Sequence, residues 1–120
     1  MASIKVNNIS KWFSDNHVIK DINLNIDDGE FVVLVGPSGC GKSTLLRIIS
    51  GLEDLNQGSI LINDKDVSNK IPSERGLSMV FQSYALYPHM SVSENIGFSL
   101  KTAGIKKETL NSKVLKVAKI

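Results

Sequence analysis

The chain has little cysteine and little histidine: Cys40, His17 and His89 are all it carries in 120 residues. One thiol forms no intrachain disulfide, and Cys40 lies in a glycine-rich loop rather than in any metal-ligand spacing, so a disulfide scaffold is excluded and a reducing, cytosolic setting fits. Long apolar runs are missing as well. The longest, Phe31 to Val35, is far short of the roughly 20 residues that a membrane helix needs. The opening "MASIKVNNIS" has no apolar stretch of signal-peptide length, and the expectation is a chain that neither crosses a bilayer nor carries a visible export signal. A strong excess of one charge is absent too, since the formal net charge is +2. That small value argues against nucleic acid as a partner. The charge is uneven all the same: residues 1–100 hold 8 basic and 11 acidic side chains, whereas residues 101–120 hold six lysines against Glu108 alone. This tail reads as a solvated lysine-rich helix face, with anionic lipid or a partner surface as the alternative.

What is present is ordinary globular composition, 42% hydrophobic and 22% charged, in a length that suits one modest domain. The first third reads as strands. Ile4, Val6 and Ile9 alternate loosely, Ile22, Leu24 and Ile26 alternate cleanly, and "DDGE" turns the chain into the continuous run "FVVLV". A continuous β-branched run predicts a strand covered on both faces, so Phe31–Val35 is the candidate central strand, parallel in type. Leu45, Leu46, Ile48, Ile49 and Leu52 then recur at helical spacing, with Gly51 placed to end the helix. "GSILIND" and "KDV" predict a short hairpin around Asn63 to Lys65, and "GLSMVF" is a second core-strand candidate. From Ser91 the pattern is helical: Ser91 and Glu94 stand at capping-box spacing, and Val92, Ile96, Leu100 and Ala103 share one face before Gly104. A second helix is predicted on Leu110, Val114, Val117 and Ala118, with no stop signal before Ile120.

The segment "LVGPSGCGKSTLL" carries the sharpest chemistry. Gly36, Gly41, Lys42 and Ser43 satisfy G-x-x-x-x-G-K-[ST] between a predicted buried strand and an amphipathic helix, the context in which such a loop grips phosphate. Glycines let several backbone N–H groups point into one concavity, the helix N-terminus adds partial positive charge, and Lys42 brings a full charge to the outer phosphates. Ser43 offers a hydroxyl to Mg2+, the counter-ion of a polyphosphate. The residues that would act on the phosphate are harder to find. A P-loop ATPase holds its metal with an acidic residue closing a second apolar strand, yet only Asp64 follows an apolar run, with Asn63 intervening in a turn-rich stretch. The other run, "LSMVF", ends in Gln82, which offers a neutral carbonyl and no base. His17 and His89 have no companion base or metal ligand and read as structural.

The series "EFVVLVGPSGCGKSTLLRIISGLEDLNQGSILI", followed by "ERGLSMVFQSYALYPHMSVSENIGF", resembles the ATP-binding subunits of ABC transporters, in the sugar-importer branch that includes the maltose importers. The resemblance spans roughly residues 3–120. It implies an α/β fold of the P-loop NTPase, ABC ATPase type in truncated form: an antiparallel β portion, an incomplete parallel core sheet and the start of a helical subdomain. Residues 1–90 would carry the β portion, the phosphate loop and the Q-loop, and residues 91–120 would begin the helical subdomain. By the same resemblance, Phe13 in "KWFSDNHV" stacks on adenine, with neighbouring Trp12 competing for that role, and Val18 packs beside the base. Base stacking of this kind contributes about 1–3 kcal/mol. Gly36, Pro37, Ser38, Gly39, Cys40, Gly41, Lys42, Ser43 and Thr44 correspond to the phosphate loop. Gln82 corresponds to the glutamine that senses magnesium and the γ-phosphate, so Ser43 and Gln82 are the implied metal contacts and ATP with Mg2+ the implied ligand.

"SYALYPHMSV" matches the stretch that in these importers helps form a groove for a short cytoplasmic helix of the membrane permease. From the residues alone, Tyr84, Leu86, Tyr87 and Met90 are either a partner surface or core cover. The implied role is to couple ATP binding and hydrolysis to uptake of a carbohydrate or related solute, as a peripheral subunit on the cytoplasmic face of the inner membrane, alongside a second ATP-binding subunit. The family pattern continues with an LSGGQ-type signature, an acidic strand with a catalytic glutamate, and a switch histidine, none of which occurs in these 120 residues. The chain therefore holds no complete catalytic set and is expected to supply at most half of a site. It also lacks the strands that neighbour "FVVLV" in the family, so exposed apolar edges are expected there. Two rival readings are a small kinase, disfavoured because Arg47 and Arg75 are the only arginines and neither sits in a lid, and a non-catalytic nucleotide-binding decoy that competes for the permease.

Overall fold

A computed structural model describes residues 2–120. The chain packs as two units, one running to Met79 and the other spanning Val80–Ile120. The first is built on a four-stranded antiparallel sheet of β1 (Ile4–Phe13), β2 (Asn16–Ile26), β3 (Gln57–Ile62) and β4 (Lys65–Asp66), in the order β2-β1-β3-β4. One helix, α1 (Lys42–Ser50), belongs to this unit.

The loose alternation of β1 has a local cause. Asn8 adopts a left-handed backbone, φ +49°, opposite a second left-handed residue, Asp21, and the pairing register slips between Val6 and Ile9. The bulge resets the phase of the pleat, so that Val6 and Ile9, three positions apart, both face the core. Asn8 is held there by side chains: its N–H donates to Asn23 Oδ1 at 2.9 Å and its own amide to Asp21 Oδ1 at 2.8 Å. The β3–β4 hairpin forms where expected, with Asn63 and Asp64 both left-handed, the two-residue turn that matches strand twist. Asp64 sits exposed on that turn, paired with Lys5 at 2.6 Å, and takes no part in the phosphate loop.

Val6, Ile9, Ile19, Ile60, Ile62 and Val67 form the sheet side of the core, and Leu45, Ile48 and Ile49 cover it from α1. Helical spacing in "LLRIIS" places those three on one stripe, and burying each contributes about 1.5–3 kcal/mol. Gly51, at φ +80°, ends α1 as predicted, and its N–H returns to the helix carbonyls.

The two predicted core strands are not formed. Residues 31–35 run without ladder pairing, and Phe31 and Val35 are 90% and 89% exposed; residues 77–81 are likewise unpaired, with Val80 exposed. β-branched composition favours a strand only where a neighbour accepts its hydrogen bonds, and no such neighbour lies among the described residues.

The second unit holds α2 (Val92–Thr102) and α3 (Lys107–Val117). Ser91 and Glu94 close the predicted capping box on α2 in both directions. The predicted buried faces are only partly right. Val92 and Val117 are exposed, and the residues buried in the two helices are Gly97 and Val114. The reason is a close crossing: a Cβ on Gly97 would stand 3.2 Å from both Leu110 Cδ2 and Val114 Cγ2, so the helices meet at the residue that has no side chain. α3 stops at Val117 despite the lack of a stop signal, with Ala118 as its C-cap.

Candidate functional site

The residues of the glycine-rich loop converge at the start of α1. The Cys40 N–H donates to the Pro37 carbonyl at 3.4 Å, and a Cβ on Gly36 would lie 2.8 Å from Cys40 Sγ, so the loop closes on itself. Gly41 serves as N-cap with φ +97°, a conformation that L side chains avoid. It also presses on β2: a Cβ there would meet Ile19 Cδ1 at 2.7 Å and the Val18 carbonyl oxygen at 3.3 Å. The helix N-terminus is thereby docked onto the strand that carries Val18.

Lys42 folds back over the loop. Its Nζ donates to the Gly36 carbonyl at 2.7 Å and to the Pro37 carbonyl at 2.6 Å, with Cys40 Sγ at 3.4 Å. No side chain caps α1 and no acidic residue lies in its first turn. The first N–H groups of the helix, at Lys42, Ser43 and Thr44, therefore retain their partial positive charge beside a full ammonium charge. Ser38, Gly39 and Ser43 are exposed, and Thr44 is half-buried. Such an arrangement attracts a multiply charged anion, and the bare, exposed backbone at Gly39, with open space where a Cβ would stand, lets it approach closely. For a divalent ion the described residues offer the Ser43 hydroxyl here and no grouping of three or more His, Cys, Asp or Glu side chains. That donor set suits a metal that arrives with a polyphosphate.

The aromatic candidates differ in what their rings already touch. Trp12 is half-buried and stacks on His17, with centroids 3.9 Å apart and planes 11° from parallel. Phe13 is 44% exposed, and its ring carries Lys11 Nζ at 4.9 Å from the centroid. Of the two, Phe13 is the more exposed. His17 is held in the Trp12 stack, and its Nε2 is buried without a hydrogen-bond partner.

Gln82 belongs to the second unit, exposed in a turn that the Tyr84 N–H closes onto the Phe81 carbonyl at 3.0 Å. Tyr84 and Ala85 follow in left-handed conformation. Asn95 of α2 then organises the segment ahead of the helix: it accepts from the Tyr87 N–H at 2.8 Å and donates to the Tyr87, Met90 and Ser91 carbonyls. Tyr87 packs on Phe98 at 4.7 Å between centroids, and His89 meets the Tyr87 ring edge-on. Tyr84 and Leu86 are 78% and 68% exposed. Glu94 accepts hydrogen bonds from the Ser91 backbone and hydroxyl, which hold its carboxyl below the ordinary glutamate range.

Two features went unread in the sequence. Lys11 is buried and pairs with Glu53, just beyond α1, at 2.6 Å. Parity along β1 gives no signal for it, because the pairing register shifts on both sides of Lys11 and Ile9, Ser10 and Lys11 are buried in succession. Arg75, 6% exposed, donates to the carbonyls of Ile48, Ile49, Ser68 and Lys70 at 2.8–3.0 Å. Nothing local marks it, since its partners in α1 lie 26 and 27 residues away.

Comparison with known proteins agrees with this geometry. The chain is 58% identical over all 120 residues to the maltose/maltodextrin import ATP-binding protein MalK of Klebsiella aerogenes, of which it covers 41%. It is 57% identical to the MalK of Escherichia coli K12, covering 32% of that protein. The chain thus spans well under half the length of the curated relatives it matches. Among solved structures it is similar to the dimeric ATP-binding cassette MJ0796 in a post-hydrolysis state bound to ADP and Pi, with TM-score 0.79 and 30% identity, covering 94% of this chain and 54% of that one. A second dimeric structure of the same bacterial ABC transporter cassette gives TM-score 0.81 at 31% identity, again covering 94% of this chain and 54% of that one. The profile of the ABC transporter family matches residues 19–119, from β2 through the phosphate loop to the end of the helical unit, and the chain belongs to that family.

Proposed function

We propose that this chain is the nucleotide-binding first part of the ATP-binding subunit of an ABC importer, which couples ATP binding and hydrolysis to uptake of a carbohydrate or related solute. The observation that carries the reading is the docked loop: Gly41 set against Val18 and Ile19, an uncapped α1 N-terminus, and the Lys42 ammonium lying over the carbonyls of Gly36 and Pro37. Gly36–Thr44 hold the triphosphate, Phe13 stacks on the base with Val18 beside it, and Ser43 contacts the Mg2+ that enters with the nucleotide; for Gln82, in the second unit, the family resemblance implies a magnesium-sensing role. Residues 1–90 carry this machinery and residues 91–120 open the helical subdomain.

The exposed, Asn95-braced segment Tyr84–Met90 meets the permease, and a second ATP-binding subunit completes the site. The subunit lies peripherally on the cytoplasmic side of the membrane, as the family resemblance implies; no helix among the described residues is long and apolar enough to cross a membrane. Alone, the chain binds Mg-nucleotide and does not turn it over, because no acidic side chain closes a strand beside Ser43 among these residues. Titration calorimetry of the 120-residue chain with Mg-ATP tests this. Lys42→Ala is expected to weaken binding at least about tenfold, the loss of one charge-assisted contact. Unchanged affinity, or steady-state phosphate release at the rate of an intact ATPase, would overturn the reading.

A further inference from the structure

Lys11 has an unusual position for a lysine. It lies within β1 in the consecutively buried stretch Ile9–Lys11, its side chain is 9% exposed, and its ammonium is held at 2.6 Å by Glu53, itself 26% exposed just past the end of α1. A lysine in a strand ordinarily extends its charge into water; here Glu53, shortly after α1, draws it inward. The same Nζ lies 4.9 Å from the centroid of the Phe13 ring. One neighbourhood therefore contains an anion, a cation and an aromatic ring that keeps 44% of its surface accessible.

We propose that Lys11, anchored by Glu53, is a positioning and selectivity residue for the base of the nucleotide, acting through Phe13; this rests on the assignment of Phe13 as the base-stacking ring. Three physical effects converge. The ammonium occupies one side of the ring, so a flat ligand has the other side to stack on, and the ring cannot swing freely into that volume. A cation over a ring draws π density toward itself, which leaves the opposite face better matched to an electron-rich purine. Glu53 fixes the ammonium in place, which ties the ring's orientation to the far end of the helix whose N-terminus carries Lys42. Trp12 lacks this support, since His17 rather than a cation covers it.

The test compares a ligand with a base and one without. Wild-type chain, Lys11→Met and Phe13→Leu, together with the double variant of those two, are titrated with Mg-ATP and with Mg-tripolyphosphate. Lys11→Met is expected to weaken ATP binding about three- to fivefold, the range of a cation–π contact, while tripolyphosphate affinity stays within error. On the Phe13→Leu background the same substitution is expected to change ATP affinity by less than about 1.5-fold, because the ring through which Lys11 acts is gone.

Loss of both ligands in equal measure would make Lys11 a structural residue and overturn the proposal. So would unchanged ATP binding, or a full effect without Phe13. Where Lys11→Met leaves Glu53 unpaired and unfolds the chain, Lys11→Met combined with Glu53→Gln removes both charges and is judged by the same ATP-to-tripolyphosphate ratio. Wild-type chain that binds neither ligand, or binds them regardless of Lys42, refutes the nucleotide assignment instead, so the two failures are separable.

Discussion

Arg75 shows how much one side chain can hold without any local signal. Its guanidinium bonds to four carbonyls, two at the C-terminal end of α1 and two in the 68–70 segment after β4. Burial pushes its pKa down, yet a guanidinium stays charged across the whole working range of pH, so it offsets the negative end of α1 at any such pH. Arg75→Met is expected to cost about 3–5 kcal/mol by urea denaturation, because four carbonyls lose a charged donor at once. Arg75→Lys should recover less than half of that, since an ammonium lacks the planar fork that reaches four separated acceptors. A loss below about 1 kcal/mol for Arg75→Met would show that water replaces the guanidinium without penalty. At the same scale, the glycine-rich loop was legible because its residues are contiguous, whereas the difference between Phe13 and Trp12 depended on what each ring touches, Lys11 on the same strand or His17 on the paired one.

Elements behaved according to whether their stabilising partners are local. The α2 start, the Gly51 stop and the Asn63–Asp64 hairpin turn all formed as read, each specified within about four residues. The helix faces were misread because Gly97 brings α3 close, and glycine carries no weight in a hydrophobic pattern.

The capping box also gives α2 a pH dependence with a definite sign. The Glu94 carboxyl is held below its ordinary value, so its contribution to stability is fully present above the unfolded value, about 4.3, and is lost as pH falls through the lower folded value. Helicity of the wild-type chain followed by circular dichroism from pH 6 to pH 3 is expected to fall more steeply than that of Glu94→Gln, which has no charge to lose. Parallel curves for the two proteins would show that the box adds nothing through ionisation.

For the whole molecule the exposed apolar run at 31–35 dominates. Phe31, Val33 and Val35 are 90%, 64% and 89% exposed, and the backbone beside them has no ladder partner. A β-branched segment in that state pairs with any available edge, so the isolated chain is expected to self-associate. Light scattering should rise with protein concentration, the thermal midpoint should shift with it, and Val33→Lys should reduce both effects. A cooperative melt independent of concentration would contradict this.

The sequence by itself determined the glycine-rich loop at the head of α1, the caps, the turn and the membership of the chain in its family, because each of these is written in residues adjacent along the chain. Only the tertiary structure decided that Phe13 is more open than Trp12, that Lys11 and Arg75 go inside, and that "FVVLV" stays unpaired. Lys11 and Arg75 turn on partners many residues distant and "FVVLV" on a strand not among the described residues, while the ring exposure turns on the Trp12–His17 stack between β1 and β2; burial and strand pairing are set by what occupies the neighbouring space rather than by the order of the side chains.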